Sequence, residues 1–569
     1  MLFRNLRNFL RNILTKPVFR QPKYILLAII TLGFLLRINN LTIGFPILFV
    51  SNDEAIYHQS ALNMLAEKTP FTIGNYGPLG AYLQIPFLLL AFSVLLLTGK
   101  IHSVQDMEFL LVTQEGYMLF IPRIISAMFG TLSIIAIYLL CVELFKNRKI
   151  ALWASFFAAV SFNLVHISHL ARGWSGAIFF SLLATLFVLR SVLKRNHALR
   201  NLLLSVFFAS IAFGFHQIAG IVILLVGLIR IFAGKKIISI HHIFGALLWL
   251  FLVLVLNYFS VGGNFLKIID PANPTVGLLK NPLISLREMS VPRMTKDFFL
   301  TDGLIVILTA VFFIKFILGR FEKSRDKRIL FAFLIFIIFN FSLIVSIFPP
   351  FLRYSLVGIS LLPLFAGFEA ANLIERYKML RIPFTVFIIF VASFNSIYWN
   401  LLLLREPTFV QVRKWVDKNI DIRIPIASTE KRALGYVSGT DARKIIRLNN
   451  KSYYMRAEKL VGKSYPINVR EVLYIYDYSN KSLSKMEAFE KAKAVFPVRY
   501  VVDSYLGSDG RLLNLDKTGR FELAAHFSPT KNSIYDGKIP ELLVDTHYVF
   551  PLFIMDRAGP YFDVLKVGR

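Results

Sequence analysis

Two adjacent acids, Asp53 and Glu54, stand just past the first long apolar run, in Ser51-Asn52-Asp53-Glu54-Ala55-Ile56-Tyr57. The spacing predicts a short helix with Glu54, Tyr57, Ala61 and Leu65 on one face. Asp53 is placed as its N-cap, at the positive end of the helix dipole. Paired carboxylates of this kind are candidates for general acid–base work. A cap followed by a solvated first-turn acid explains the same pattern, and the residues alone leave both readings open. Tyr76-Gly77-Pro78-Leu79 follows, a rigid turn in which Tyr76 and Tyr82 offer aromatic faces of the kind sugars stack on. Arg123, Arg172 and Arg353 fall at the ends of apolar runs, on the same side as the acid pair. Taken singly, each reads as an interface residue that snorkels. His166, His169 and His216 fall at the same level and could hydrogen-bond a sugar or a phosphate. No HExxH or comparable cluster occurs. The single cysteine, Cys141, excludes an intrachain disulfide framework and a Cys-based metal site.

The elements that must position these residues are mostly membrane spans. The chain has 569 residues, 56% of them hydrophobic and 17% charged, with 55 Phe. A soluble chain would be roughly a quarter charged, so a soluble globular enzyme and a disordered protein are both excluded. Lys and Arg number 64 against 34 Asp and Glu, a formal charge of +30. In a soluble chain that balance would point to nucleic acid; here positive charge is expected in short cytoplasmic loops. Residues 1–23 are basic, without an acid, and read as a cytoplasmic N-terminus. The first span is placed at Tyr24–Ile43, with Arg37 snorkelling near its outer end. Residues 45–118, rich in acids, read as the first extracytoplasmic loop with juxtamembrane helices. Its apolar part, Leu83–Leu97, is placed in the outer interface, because a crossing would put Lys146, Arg148 and Lys149 outside. Spans and basic turns then alternate to Leu401, with Leu202–Phe232 split at His216-Gln217, which gives about eleven spans and an outer C-terminus. The expected fold is therefore mainly α, a transmembrane helical bundle over 24–404. Over 405–569 short β-like runs (Val472–Tyr476, Tyr500–Val502, Val549–Met555) alternate with helical ones (Val410–Lys418, Ser484–Ala494). These predict an extracytoplasmic soluble α/β domain without a glycine-rich phosphate loop.

The two outer motifs together resemble the membrane-embedded GT-C glycosyltransferases, closest to the superfamily of protein mannosyltransferases and aminoarabinose transferases. Further matches follow in order: Pro122-Arg123-Ile124-Ile125-Ser126-Ala127 with Phe129-Gly130, then Leu144-Phe145-Lys146-Asn147-Arg148 with Ala151-Leu152. Ser168-His169-Leu170-Ala171-Arg172 and Phe351-Leu352-Arg353-Tyr354 with Pro363 complete the set. Two departures stand out. The turn is Tyr76-Gly77-Pro78-Leu79, where members often have Pro-Pro-Leu after a basic residue. Arg172 leads to Gly173-Trp174-Ser175, where many members carry an acid.

The resemblance implies transfer of a sugar from a polyprenyl-phosphate donor to an acceptor hydroxyl on the extracytoplasmic face. It assigns the base to Asp53, with Glu54 orienting the acceptor or sharing the role. Arg123, Arg172 and Arg353 would meet the leaving phosphate, and Tyr57, Tyr76, Tyr82, His169 and Tyr354 would line the substrates. It settles no cofactor; a divalent metal ion held between Asp53 and the lipid phosphate is an option the residues leave open. The implied partners are the lipid-linked sugar donor, membrane lipid and an acceptor glycolipid, glycan or protein, with no nucleic acid. The implied location is a bacterial inner membrane. The competing readings are a transporter or flippase of lipid-linked sugars, and an inactive scaffold of the same fold.

Overall fold

The computed structural model describes residues 21–45, 52–68, 70, 77–194, 197–234, 240–260, 290–319, 327–347, 352–429, 434, 470–475, 483–506, 510–516, 518–531 and 555–568. In chain order the main helices are α1 (Pro22–Ile38), α2 (Asn52–Glu67), α3 (Gln84–Leu97), α4 (Val104–Met118), α5 (Phe120–Phe145), α6 (Arg148–Val160) and α7 (Phe162–Ser168). They continue as α8 (Trp174–Leu193), α9 (Ala198–Phe215), α10 (Val222–Phe232), α11 (Ile240–Ser260), α12 (Ser290–Ile317) and α13 (Lys327–Ile347). The last are α14 (Leu362–Arg376), α15 (Arg381–Leu403), α16 (Thr408–Asn419) and α17 (Lys485–Val495). The chain divides into two compact units: 1–39, 70–82 and 123–397 form one, and 40–69, 83–122 and 398–569 the other.

The first unit is a helical bundle. Its apolar runs have no alternative to the helix, since only a helix satisfies every backbone group within one segment away from water. Polar residues mark the ends. The Asn147 side chain, for example, accepts from the amides of Lys149 at 2.9 Å and Ile150 at 3.4 Å where α6 begins. Helix α8 packs along α9, α6 lies against both α1 and α14, α12 packs on α14, and α10 on α13. Phenylalanines fill the seams, with Phe312 and Phe365 at 4.9 Å and Phe129 and Phe215 at 5.4 Å between ring centroids. Other large apolar side chains face outward, Phe251 at 62% and Phe390 at 64% exposure among them. A surface this apolar is suited to lipid rather than water.

Among the described residues seven helices are long and apolar enough to cross a membrane, or eight if α6 and α7, bent by 53°, are counted as one span. The protein is an integral membrane protein. By that measure the expected eleven spans are not reached. The runs expected at Ile218–Phe232 and Ile243–Ser260 form the shorter apolar helices Gln217–Phe232 and Ile243–Leu256. The expected break at His216-Gln217 is present: α9 ends at Phe215, His216 is extended, and a 3-10 turn leads into α10. Leu83–Leu97, expected to lie in the interface, belongs to the stretch Leu79–Leu97, which is long and apolar enough to span. Arg37 is not a snorkelling residue. It is 1% exposed and donates to the carbonyls of Gly33, Ala158 and Ala159, because neighbouring helices close over it before it reaches an interface.

The second unit contains α2, α3, α4 and a C-terminal α/β region. Its sheet consists of β1 (Ile426–Ser428), β2 (Val472–Tyr474), β3 (Tyr500–Tyr505), β4 (Phe521–Phe527) and β5 (Tyr561–Val567), in the order β2-β1-β3-β5-β4. Strand β1 runs parallel to β2 and β3, while β5 is antiparallel to β3 and β4. Phe489 of α17 packs with Leu473, Val501, Phe521 and Leu565 in the core beneath. Helix α17 starts with a capping box between Ser484 and Glu487. The β-like runs at 472 and 500 are strands. Of the run at 549–555 only Met555 is described, in a bridge to Thr530, and the rest lies outside the described residues. On the paired strands, Asp503 and Asp563 stand opposite each other, both buried. Lys485 holds the first at 2.6 Å, and Arg511 and His526 hold the second at 2.6 and 2.7 Å. Like charges directly opposite would otherwise repel.

Candidate functional site

The acid pair lies on α2, in the second unit. The helix opens at Asn52, so Asp53 stands inside the first turn and not at the N-cap; the position ahead of it lies outside the described residues, as does the side chain of Asp53. Glu54, Tyr57 and Ala61 are buried on the face the spacing predicts, and Leu65 is half-buried. His58, one turn after Glu54, is also fully buried, with its Nδ1 3.4 Å from Oε1 of Gln84. Burial pushes the His58 imidazole down to about 4, against the opposing pull of the Gln84 contact and the Glu54 charge. At neutral pH, α2 therefore presents a buried carboxyl group beside an uncharged imidazole.

The cationic candidates lie in the first unit, where the start of α5, the end of α7 and the start of α8 converge. Ser126 of α5 donates to Ser175 of α8 at 2.9 Å and to the Ile167 carbonyl of α7 at 3.5 Å. Arg123, three residues before Ser126 and so on the same helix face, is 1% exposed. His169 is buried within electrostatic reach of His166, Arg37 and Arg123. Arg172 is 5% exposed in the short irregular link between α7 and α8. The next helix starts at Trp174, whose ring stacks on His216 at 3.6 Å and lies 6.0 Å from Tyr354. The structure thus gathers Arg123, His166, His169, Arg172, His216 and Tyr354 at the same end of the bundle. Arg353 is on the same 3-10 turn as Tyr354, Leu352–Ser355, but its side chain lies outside the described residues.

Of the two turn tyrosines, Tyr76 lies outside the described residues. Tyr82 donates its hydroxyl to Pro70 at 2.5 Å and meets Phe259 edge-on at 6.3 Å. The Gly77-Pro78 turn is packed against the end of α9. A Cβ on Gly77 would come within 2.7 Å of the Phe215 carbonyl carbon and 2.8 Å of that of Gly214, so only glycine fits. Among the described residues no group of three or more His, Cys, Asp or Glu is placed to hold a metal ion.

Three participants escaped the sequence analysis. His58 carried a legible signal, being one helical turn from Glu54. The stack of Trp174, at the start of α8, on His216, in the extended link after α9, joins separate parts of the chain and carried none. Asp302, buried inside α12, could have been noticed as an acid at the edge of an apolar run.

No protein-family model matches the chain, and no curated protein is found similar to it. Solved structures are. The apo oligosaccharyltransferase of Archaeoglobus fulgidus aligns at 14% identity over 86% of this chain and 70% of that one, with a TM-score of 0.48. ArnT from Cupriavidus metallidurans bound to undecaprenyl phosphate aligns at 10% identity over 95% and 97%, TM-score 0.41. The protein O-mannosyltransferase complex of S. cerevisiae bound to the sugar donor aligns at 18% identity over 42% and 32%, TM-score 0.30. All three are glycosyltransferases of the GT-C fold.

Proposed function

We propose that the protein is a membrane glycosyltransferase that moves a sugar from a polyprenyl-phosphate donor to a hydroxyl group of a lipid, glycan or protein acceptor on the extracytoplasmic face. The observation that carries this reading is the gathering of Arg123, Arg172 and His169, all buried, where α5, α7 and α8 meet. A phosphate is the ligand whose oxygens match the planar fork of arginine. The ordered motifs of the sequence supply the reaction.

In that reaction Asp53 takes the acceptor's hydroxyl proton, with Glu54 orienting the acceptor. The acceptor oxygen forms its bond to the anomeric carbon as the bond from that carbon to the phosphate oxygen breaks. The bonding electrons leave with the polyprenyl phosphate, whose developing charge Arg123, Arg172 and Arg353 stabilise. Tyr57, Tyr76, Tyr82, His169 and Tyr354 are assigned to the substrates. The basic turns face the cytoplasm and the C-terminal domain lies outside, in line with the positive-inside tendency.

The test is release of free polyprenyl phosphate by the full chain in lipid nanodiscs, offered a panel of polyprenyl-phosphate monosaccharides and a cell-envelope lipid extract. Sugar-specific release by the wild type, lost in Asp53→Asn, supports the reading. Absence of release with every donor and acceptor would sink it.

A further inference from the structure

The span that delivers His166, His169 and Arg172 is broken without proline or glycine; the local device is Ser161, whose hydroxyl caps α7 by accepting from the Leu164 amide at 3.5 Å. Helices α6 and α7 are separated by Ser161 alone, in Ala159-Val160-Ser161-Phe162-Asn163, and bend by 53°. Sharp kinks normally follow proline, glycine or an inserted group, and here neither residue is present. The break is also held from both sides by distant charges. On the α6 side, the Arg37 guanidinium donates to the Ala158 and Ala159 carbonyls at 2.9 Å each, and Ser396 donates to Val160 at 2.6 Å. On the α7 side, the Asp302 carboxylate accepts from the amides of Phe162 at 2.7 Å and Asn163 at 3.2 Å. It also accepts from the Ser161 hydroxyl at 2.8 Å and the Asn163 side chain at 2.7 Å.

A cation thus meets the carbonyl end of one half-helix and an anion the amide end of the next, the signs that complement the helix dipole. Helix α12 itself departs from helical geometry at Asp302 to supply that carboxylate. Asn395 takes up the Leu300 and Thr301 carbonyls beside it, at 2.8 Å each. Both ions are buried, Arg37 at 1% and Asp302 at 5% exposure. Ionisable groups within a membrane bundle commonly mark a transport path, but these two are engaged with the backbone of a helix break. The expense of two buried charges is explained if the direction of α7 matters.

We propose that Arg37 and Asp302 are positioning residues that pin the break at Ser161 and so fix α7 and the link after it, setting where His169 and Arg172 stand. The proposal rests on the reading above, in which those residues hold the donor phosphate. It is tested on the full chain in nanodiscs by hydrogen exchange and by binding of polyprenyl phosphate. Asp302→Asn keeps the shape of the side chain and removes its charge; Asp302→Ala and Arg37→Lys are the harsher and the cationic counterparts. Amide exchange over 162–172 should rise in all three while that over 178–190 stays as in wild type. Polyprenyl phosphate should bind about 10–100-fold more weakly, since a displacement near 1 Å is enough for such a loss. In an Arg172→Lys background Asp302→Asn should cost much less than in wild type, because the group it positions has already been compromised. Unchanged exchange over 162–172, exchange raised throughout the bundle, or fully multiplicative effects of the two substitutions would each overturn the proposal. A wild type that neither binds nor turns over the donor overturns the functional reading instead, and the exchange arm then decides alone whether the two charges pin α7.

Discussion

The two ends of α5 carry the same kinds of side chain in opposite circumstances. Near its C-terminus, Glu143 takes Lys146 at 3.1 Å and Lys194 at 3.2 Å, and nearby Lys149 meets Glu375 at 2.9 Å. These lysines are largely exposed although Glu143 itself is buried, and a cation that keeps its water costs the fold little. At the other end, about 30 Å along the helix at 1.5 Å per residue, Arg123 is buried where α7 and α8 arrive with His169 and Arg172. Exposed cations cost the fold little, so they can serve topology alone. Buried cations must be compensated by specific partners, so they report on a structural joint or a ligand.

The sharpest way to break the contrast is through chemistry. Asp53→Asn should lower sugar transfer by about 10²–10⁴-fold, the usual worth of a general base, read as polyprenyl phosphate released over time. Next come the arginines. Arg172→Lys and Arg123→Lys keep the charge but lose the planar fork, and each should weaken polyprenyl-phosphate binding by about tenfold or more. Lys149→Ala and Lys146→Ala, at the solvated end, should leave that binding within about twofold. Equal losses at both ends would dissolve the distinction between them.

Smaller effects probe the scaffold. Gly77→Ala forces a methyl group against the Gly214–Phe215 backbone and should destabilise the bundle by about 1–3 kcal/mol, visible as a lower melting temperature in detergent. His58 supplies a pH dependence in the second unit. Its folded value near 4 lies below the ordinary 6.5, mainly through burial. The unfolded chain therefore binds the proton first as pH falls. The stability associated with keeping His58 neutral is complete above pH 6.5 and drains away as pH drops towards 4. Melting curves recorded across that window should slope, and His58→Gln should flatten them. A variant with an unchanged slope would assign the effect to other groups.

Local features of the fold were legible because they depend on neighbours in sequence. The apolar runs, the break at His216-Gln217, the helices at 408–419 and 485–495 and two of the five strands among the described residues follow from spacing, caps and propensity. Strands β1, β4 and β5 were not anticipated. β1 is only three residues long, and β4 carries a bulge between Leu523 and Ala525 that interrupts its alternation. On the site side, spacing put Glu54, Tyr57 and Ala61 on one face, and the structure buries that face, Glu54 included. Asp53, expected as the cap, stands inside the first turn instead, since local rules fix a helix start only to within a residue or two.

The sequence by itself determined that this is a membrane bundle with a more polar C-terminal region, because composition, run length and helical period need no partner. It also marked Arg123, Arg172, His166, His169 and His216 as candidates, from their places at the ends of apolar runs. Tertiary structure alone decided which of those cations are buried together and where a span without proline or glycine bends. Arg37 reaches a carbonyl 121 residues away, and Asp302 a hydroxyl 141 residues away. No periodicity records such pairings. They arise only when separate helices pack and an unsatisfied helix end, cut off from water, takes the nearest opposite charge.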